Sequence, residues 1–426
     1  MKNISIILFT VGLLISCNSE KKEQVSTITA YTNVTLIDGS GSAPIADAVM
    51  IVSNGRIAAV GPKDNTPIPD NAEVIDLAGN YIIPGLINSH GHVGDVKGIE
   101  GGHYSQQNVI DNLAIYAQYG ITTVVSLGAD QKEAEPIRAV NDTTSTQHAR
   151  LYIAGEVING KTPEEAAVVI DNNKAMGVDW MKIRVDDNLG TSPKMSEEVY
   201  TAVIKRSHDL GYKIATHMYY LDDAKKLLAA GSDLMAHSVR DLPVDDEFIS
   251  LLKERKVCYC PTLTRELSTF VYGNTPGFFS DPFFTNKYDS ATIAPLKDPA
   301  RQEQIRNSKS AQTYQKQLPV AMANLKRLSD EGVPVAFGTD SGIPTRFFGF
   351  FEHVEMSMMA EAGMSPMKIL VSATKDAADC MGLKDIGTLK PGYWADFVVL
   401  TADPLADIKN TRSIKSVWIR GAELKR

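Results

Sequence analysis

The sequence predicts an α/β fold, a (β/α)8 TIM-type barrel carrying a small β-sandwich domain built from both chain ends. Three observations predict it. The length, 426 residues, exceeds one small core and suits a large barrel plus a modest second unit. The middle of the chain alternates strand candidates with amphipathic helical stretches. Both ends read as short strands joined by turns. With 43% apolar and 22% charged residues the composition is that of an ordinary globular protein. A net charge of −8 without a basic block gives nucleic-acid binding little support, because neutralising phosphates needs clustered Lys and Arg.

Residues 1–16 read as a signal peptide. Lys2 supplies a positive start, and Ile4 to Ile15 is an apolar run too short to span a bilayer. Ser16-Cys17 resembles a bacterial lipoprotein cleavage site, so Cys17 is expected to be lipidated, followed by a polar tether to residue 30. That places the protein in a bacterial envelope, held to the membrane by lipid alone. Residues 31–83 and 384–426 are assigned to the small β domain, where Asn54-Gly55 signals a hairpin. Residues 84–383 are assigned to the barrel. Its strand candidates are 82–88, 120–127, 150–157, 179–185, 212–218, 232–238, 256–263 and 333–340. Between them lie helical stretches such as Glu197 to Leu210 and Leu318 to Asp330. Residues 264–300, rich in Phe, Tyr, Pro and Asn, read as an insertion that forms a wall or lid of the site. Without Cys17, the odd set Cys258, Cys260 and Cys380 argues against a disulfide framework, and Cys258-Tyr259-Cys260 reads as strand packing.

The chemistry concentrates at predicted strand ends. His90 and His92 sit two apart on the first strand, so both imidazoles point the same way. His217, His237 and Asp340 end later strands, on the rim where barrel enzymes place their catalytic groups. Any one His at a strand end is ordinary; the joint pattern suits zinc or a similar divalent ion. Lys182 lies within the fourth strand. Burial would favour its neutral amine, which can add CO2 to give a bridging carbamate. Pairing with Asp186 or Asp187 is the alternative, and spacing does not choose between them.

Pro84-Gly85-Leu86-Ile87-Asn88-Ser89-His90-Gly91-His92, Gly338-Thr339-Asp340-Ser341 and Leu389-Lys390-Pro391-Gly392-Tyr393-Trp394-Ala395-Asp396 together resemble signatures of the amidohydrolase superfamily. The resemblance points to its imidazolonepropionase-related branch, with Xaa-Pro or Xaa-Arg dipeptidases. It covers nearly all of 31–424. It implies one metal on His90, His92 and Asp340, a second on His217 and His237, and carboxylated Lys182 between them. Zinc, two ions per chain, is the expected cofactor; other divalent ions and members with one metal also occur.

The implied reaction is hydrolysis of a C–N bond in a small amide or dipeptide by a hydroxide generated at the metals, with Asp340 as catalytic proton carrier. Tyr219 resembles a tyrosine that binds the carbonyl oxygen in related dipeptidases, with Met218 departing from the usual motif. Arg240 is a candidate for a substrate carboxylate. His353, in Glu352-His353-Val354-Glu355, is a candidate for a substrate or supporting role. Competing readings are lactone, ester or phosphotriester hydrolysis on the same metal pair, deamination, and a non-catalytic surface lipoprotein. Deamination is disfavoured because no Glu follows His217 closely.

Overall fold

The computed structural model describes residues 28–143 and 146–425. The expected signal peptide and lipidated Cys17 lie outside the described residues. Among these residues no helix is long and apolar enough to cross a membrane.

The two chain ends build one β unit. Its strands are β1 (Ile28–Leu36), β2 (Ile45–Ser53), β3 (Arg56–Pro62), β4 (Glu73–Asp76) and β5 (Tyr81–Pro84). The strands β13 (Phe397–Leu400), β14 (Ile414–Ile419) and β15 (Ala422–Glu423) join from the other end. Hydrogen bonding links them as one eight-stranded sheet, in the order β15-β14-β13-β5-β1-β2-β3 with β4 on β1, where the sequence led us to expect a sandwich of two sheets. The β2–β3 hairpin turns at Asn54 and Gly55, both at positive φ (52° and 74°), as a tight two-residue turn requires. A Cβ on Gly55 would lie 2.6 Å from the Arg420 carbonyl oxygen, so no larger residue fits. Tyr31, Phe397 and Trp418 pack edge-on or stacked at about 5 Å and centre the unit's core.

The middle of the chain is α/β and TIM-like. Strands β6 (Leu86–Gly91), β7 (Ile121–Ser126) and β8 (Arg150–Ile153) form one parallel sheet. Another contains β9 (Met181–Arg184), β10 (Ile214–His217), β11 (Leu234–Ala236) and β12 (Cys258–Cys260). Isolated parallel bridges Ile158–Ile183, Tyr259–Val335 and Gly91–Ser341 join these pieces. Helices between strands are capped by local chemistry. Ser196, for example, accepts from the Val199 N–H to start Glu197–Asp209, whose buried face carries Val199, Tyr200, Val203 and Ile204.

The expected eighth strand, 333–340, is not a continuous strand. Pro334 lacks a ladder donor, and Asp340 adopts φ +59°, so the extended run is interrupted. It is held instead by bonds such as Ser89 N–H to Phe337 O (2.8 Å) and Tyr259 N–H to Pro334 O (3.0 Å). Gly338 permits this seat, since a Cβ there would lie 2.6 Å from Cys260 Sγ and 2.9 Å from His90 Cβ.

The cysteines depart from expectation. Cys258 and Cys380 form a disulfide, and Cys260 is left free and buried. Excluding Cys17 left an odd count that concealed one pair plus one thiol. The disulfide ties the start of β12 to the helix Lys375–Met381. Trp180, just before β9, donates from its indole to Met381 O (3.1 Å) and fixes the same helix. The β unit is pinned to the α/β unit by Arg150 of β8, whose guanidinium pairs with buried Asp396.

Candidate active site

The carboxyl ends of the parallel strands surround a cavity of about 250 Å³ lined by His90, His92, Lys182, His217, His237 and Asp340, among others. All six residues expected to hold metal are thus brought together. Ligand atoms of His90, His92 and Asp340 lie within 4.8 Å of one another. The Asp340 Oδ1 is 2.9 Å from His92 Nε2 and 3.3 Å from His90 Nε2. Lys182 Nζ is 3.4 Å from the same His90 nitrogen. The His237 ring sits 4.6 Å from that of His90 and 4.3 Å from that of His217.

Outer partners set which ring nitrogen each His presents. His92 Nδ1 contacts Gly128 O (2.9 Å), leaving Nε2 toward Asp340. His217 Nε2 contacts Asp186 Oδ2 (2.8 Å), and His237 Nδ1 contacts Thr262 Oγ1 (2.8 Å), so each keeps its other nitrogen for a ligand. The buried His90 Nδ1 has no hydrogen-bond partner. Burial drives His90 and His237 well below the ordinary imidazole range. It drives His217 down to about 3, although Asp186 pulls the other way. All three are therefore neutral donors near neutral pH, the form a divalent ion needs. Burial lowers Lys182 to about 8, with Asp340 opposing, so near neutral pH its amine is mostly charged but sheds its proton far more readily than an ordinary lysine. Neutral imidazoles and a carboxylate, beside an amine that deprotonates easily, fit a divalent cation site.

The site is held in a tense conformation. Asp340, His237 and Thr262 adopt φ values of +59°, +80° and +47°, each costing on the order of 1–3 kcal/mol for a non-glycine residue. Buried carboxylates on the helix Phe350–Glu361 fix these turns. Glu352 accepts from Asn88 Nδ2 (2.7 Å), Thr339 Oγ1 (2.6 Å) and Ser341 Oγ (2.6 Å), bracketing Asp340. Asn88 Oδ1 in turn accepts from the His90 N–H (2.9 Å). Glu355 accepts from the Leu263 and Thr264 N–H groups, each at 2.7 Å, and fixes the turn that holds Thr262. Burial raises both glutamates to about 7 against the pull of these donors. Burial also acts to raise Asp340, but Arg346, His90 and His92 outweigh it and hold this carboxyl well below the usual range.

Three expected residues fall elsewhere. Arg240 is fully buried, donates to Met218 O (3.1 Å) and Ser238 O (2.6 Å), and meets Glu266 at 3.2 Å. It does not line the cavity. The left-handed turn at His237 breaks the strand alternation that would have aimed Arg240 at the rim. Tyr219 also lies off the cavity lining, packed against Tyr220 and Tyr314 with Arg240 over its ring at 4.6 Å. β10 ends at His217, so the spacing that would place Tyr219 beside that imidazole no longer applies. His353 is buried away from the site; its Nδ1 contacts Thr411 Oγ1 (3.0 Å) and its Nε2 contacts Tyr119 O (2.9 Å), joining the helix to residues 408–412.

The cavity instead contains Arg184, Arg265 and Arg346, which sequence reading did not single out. Arg265 opens the 264–300 insertion and gives that segment a place in the cavity wall, as expected of it. The available signals were position alone: Arg265 follows the end of β12 closely, and Arg346 lies six residues after Asp340.

The amidohydrolase family model matches residues 81–424, most of the chain. The chain belongs to the amidohydrolase family. Among curated relatives, it is 24% identical to the imidazolonepropionase of Streptomyces avermitilis over 420 residues, covering 91% of this chain and 90% of that one. It is also 24% identical to the enamidase of Eubacterium barkeri over 194 residues, 43% of this chain but only 47% of the enamidase. A crystal structure of a putative prolidase from Bifidobacterium longum superposes with a TM-score of 0.75 at 22% identity, covering 94% of this amidohydrolase and 95% of that chain. At that identity the likeness speaks for the shared fold.

Proposed function

We propose that this amidohydrolase is a metal-dependent hydrolase of a C–N bond in a small, dipeptide-like amide. The observation that carries the reading is the convergence of His90, His92 and Asp340 within 4.8 Å, with Lys182, His217 and His237 on the same cavity. In this reading the parallel segments form one (β/α)8 barrel whose rim is the active site. His90, His92 and Asp340 would hold one divalent ion and His217 and His237 a second, with Lys182, once carboxylated, supplying a further anionic ligand. When bound, such ions make water acidic enough to ionise near neutral pH and polarise a carbonyl. Asp340 accepts the proton of the attacking water and returns it to the leaving nitrogen. The turn that carries it is held by Glu352 through Thr339 Oγ1 and Ser341 Oγ. The imidazolonepropionase and prolidase names of the relatives support C–N chemistry and a small substrate.

The test is metal analysis of the purified protein with assays on N-acyl amino acids and dipeptides, and lactones and phosphotriesters as counter-substrates. Two equivalents of zinc or another divalent ion and turnover of an amide are expected. Lys182→Ala is expected to retain one equivalent and lose most activity. Turnover confined to lactones or phosphotriesters would overturn the C–N assignment.

The envelope location remains part of the proposal. The Cys258–Cys380 bond supports it, since structural disulfides persist mainly in oxidising compartments. Radiolabelled palmitate should enter the wild-type protein in cells and not Cys17→Ala; equal labelling would refute the anchor.

A further inference from the structure

The metal cavity is lined by the cationic side chains Lys182, Arg184, Arg265 and Arg346 against one carboxylate, Asp340. Lys182 and Arg265 are buried and Arg346 nearly so, which limits the water that would screen them, whereas Arg184 is exposed. Divalent ions add to it, and conversion of Lys182 to a carbamate offsets only part. Two of the guanidinium groups have local counter-charges outside the metal ligands. Arg184 meets Asp186 at 3.6 Å. Arg265 meets Glu266 at 3.0 Å, but Glu266 also serves Arg240. The carboxylate paired with Arg346 is Asp340, the group that ligation draws toward a cation. Arg346 Nε donates to Ser268 Oγ (2.9 Å), and Ser268 ends the helix Leu263–Ser268 that carries Arg265. One short helix therefore fixes both guanidinium groups on the same wall.

On the far side, Val157 and Arg184 are shared with a second cavity of about 660 Å³, whose walls include Ile158, Pro193 and Met195. The combined space is cationic at one end and mixed at the other, where Ile158, Pro193 and Met195 give an apolar strip among polar residues such as Lys161 and Lys194. Resting on the hydrolase reading above, we propose that Arg265 and Arg346 bind a carboxylate of the substrate, while its apolar part extends past Val157 into the second cavity. The substrates are then amides of apolar amino acids with a free carboxyl end. A planar guanidinium fork matches the two oxygens of a carboxylate, which a lysine ammonium cannot do as well.

The test compares N-acetyl-L-leucine with N-isopentylacetamide, the same amide without the carboxylate, on the metal-loaded full chain. Wild type is expected to favour the acid by about 100-fold in kcat/KM, the worth of a charge-assisted contact. Arg265→Met should erase that preference through KM for the acid alone. Because Met leaves Glu266 with fewer partners, Arg265→Lys serves as the fold-preserving variant, with a loss on the acid about 10-fold greater than its loss on the neutral amide. Equal rates on both compounds in wild type, or an unchanged preference in Arg265→Lys, overturn the proposal. Should neither compound be hydrolysed, the C–N reading fails separately and calorimetry decides this one, on metal-loaded and metal-free protein alike. Binding of N-acetyl-L-leucine at least about 10-fold weaker in Arg265→Lys supports the carboxylate site; equal binding of the two compounds, or equal binding by wild type and variant, refutes it.

Discussion

The two ends of the parallel strands are built on opposite principles. At the carboxyl ends, buried charge, neutral imidazoles and left-handed backbone crowd one cavity, with Asp340 at φ +59° and His237 at φ +80°. At the amino ends, β12 is tied through Cys258 to Cys380, and Trp180 bonds Met381 O on the same helix. A single strand shows both: Cys258 begins β12 in a covalent staple, while Cys260 ends it as a free thiol beneath the site. One end carries left-handed backbone and buried ligand-type side chains, because a ligand must be held there; the other spends its residues on cohesion.

The largest effect should separate the ends outright. Asp340→Asn is expected to lower kcat/KM by about 10³-fold or more. Asn tolerates the left-handed turn, so the stability cost, about 3–5 kcal/mol, comes from leaving Arg346 without its buried partner. Steady-state kinetics and denaturant titration on one preparation measure both; activity within about tenfold of wild type would break the contrast.

The opposite result is expected below. Removing the disulfide with Cys258→Ala/Cys380→Ala frees a 122-residue loop and should cost about 2–5 kcal/mol, leaving kcat/KM within about threefold. Chemical denaturation under non-reducing conditions checks the first figure. A large fall in kcat/KM would mean the staple also shapes the rim.

His353 lies at neither end and sharpens the comparison through pH. Burial pushes its imidazole down to about 4, with the Tyr119 carbonyl opposing. In the unfolded chain it titrates near its ordinary value of about 6.5, so between these limits the unfolded state binds more protons. Its neutral form thus favours folding fully above about pH 6.5, and that contribution drains away toward pH 4, by about 3 kcal/mol in all. Urea midpoints of wild type and His353→Gln between pH 4 and 7 should diverge in slope, with KM unaltered. Parallel slopes would show that His353 titrates normally in the fold.

Period and position made the candidate metal-site residues legible. His90 and His92 alternate on one strand, and His217, His237 and Asp340 fall where strands stop, so backbone geometry alone converges them. Where the backbone leaves the strand, that logic ends. Arg240 and Tyr219 follow such departures and turn beneath the rim, while Arg265 and Arg346 reach it from segments with no period to read. The eighth strand was visible as an apolar run but not as a broken one, because Pro334 and the turn at Asp340 act through hydrogen bonds that composition does not show. The Cys258–Cys380 pair spans 122 residues, and neither parity nor spacing reveals so distant a partner. The β unit from both chain ends was legible because its strands and its Asn54-Gly55 turn are local signals; their union into one sheet depends on the long-range β5–β13 pairing.

The insertion has its own interior. Phe279, Phe284, Tyr288 and Phe347 pack ring against ring, and the Tyr272 and Tyr288 hydroxyls donate to Thr345 O and Phe348 O just beyond Asp340. A boundary so solidly filled behaves as masonry, not as a hinged door. The segment that brings Arg265 to the cavity therefore takes its shape once, when the chain folds, and keeps that guanidinium at a fixed station.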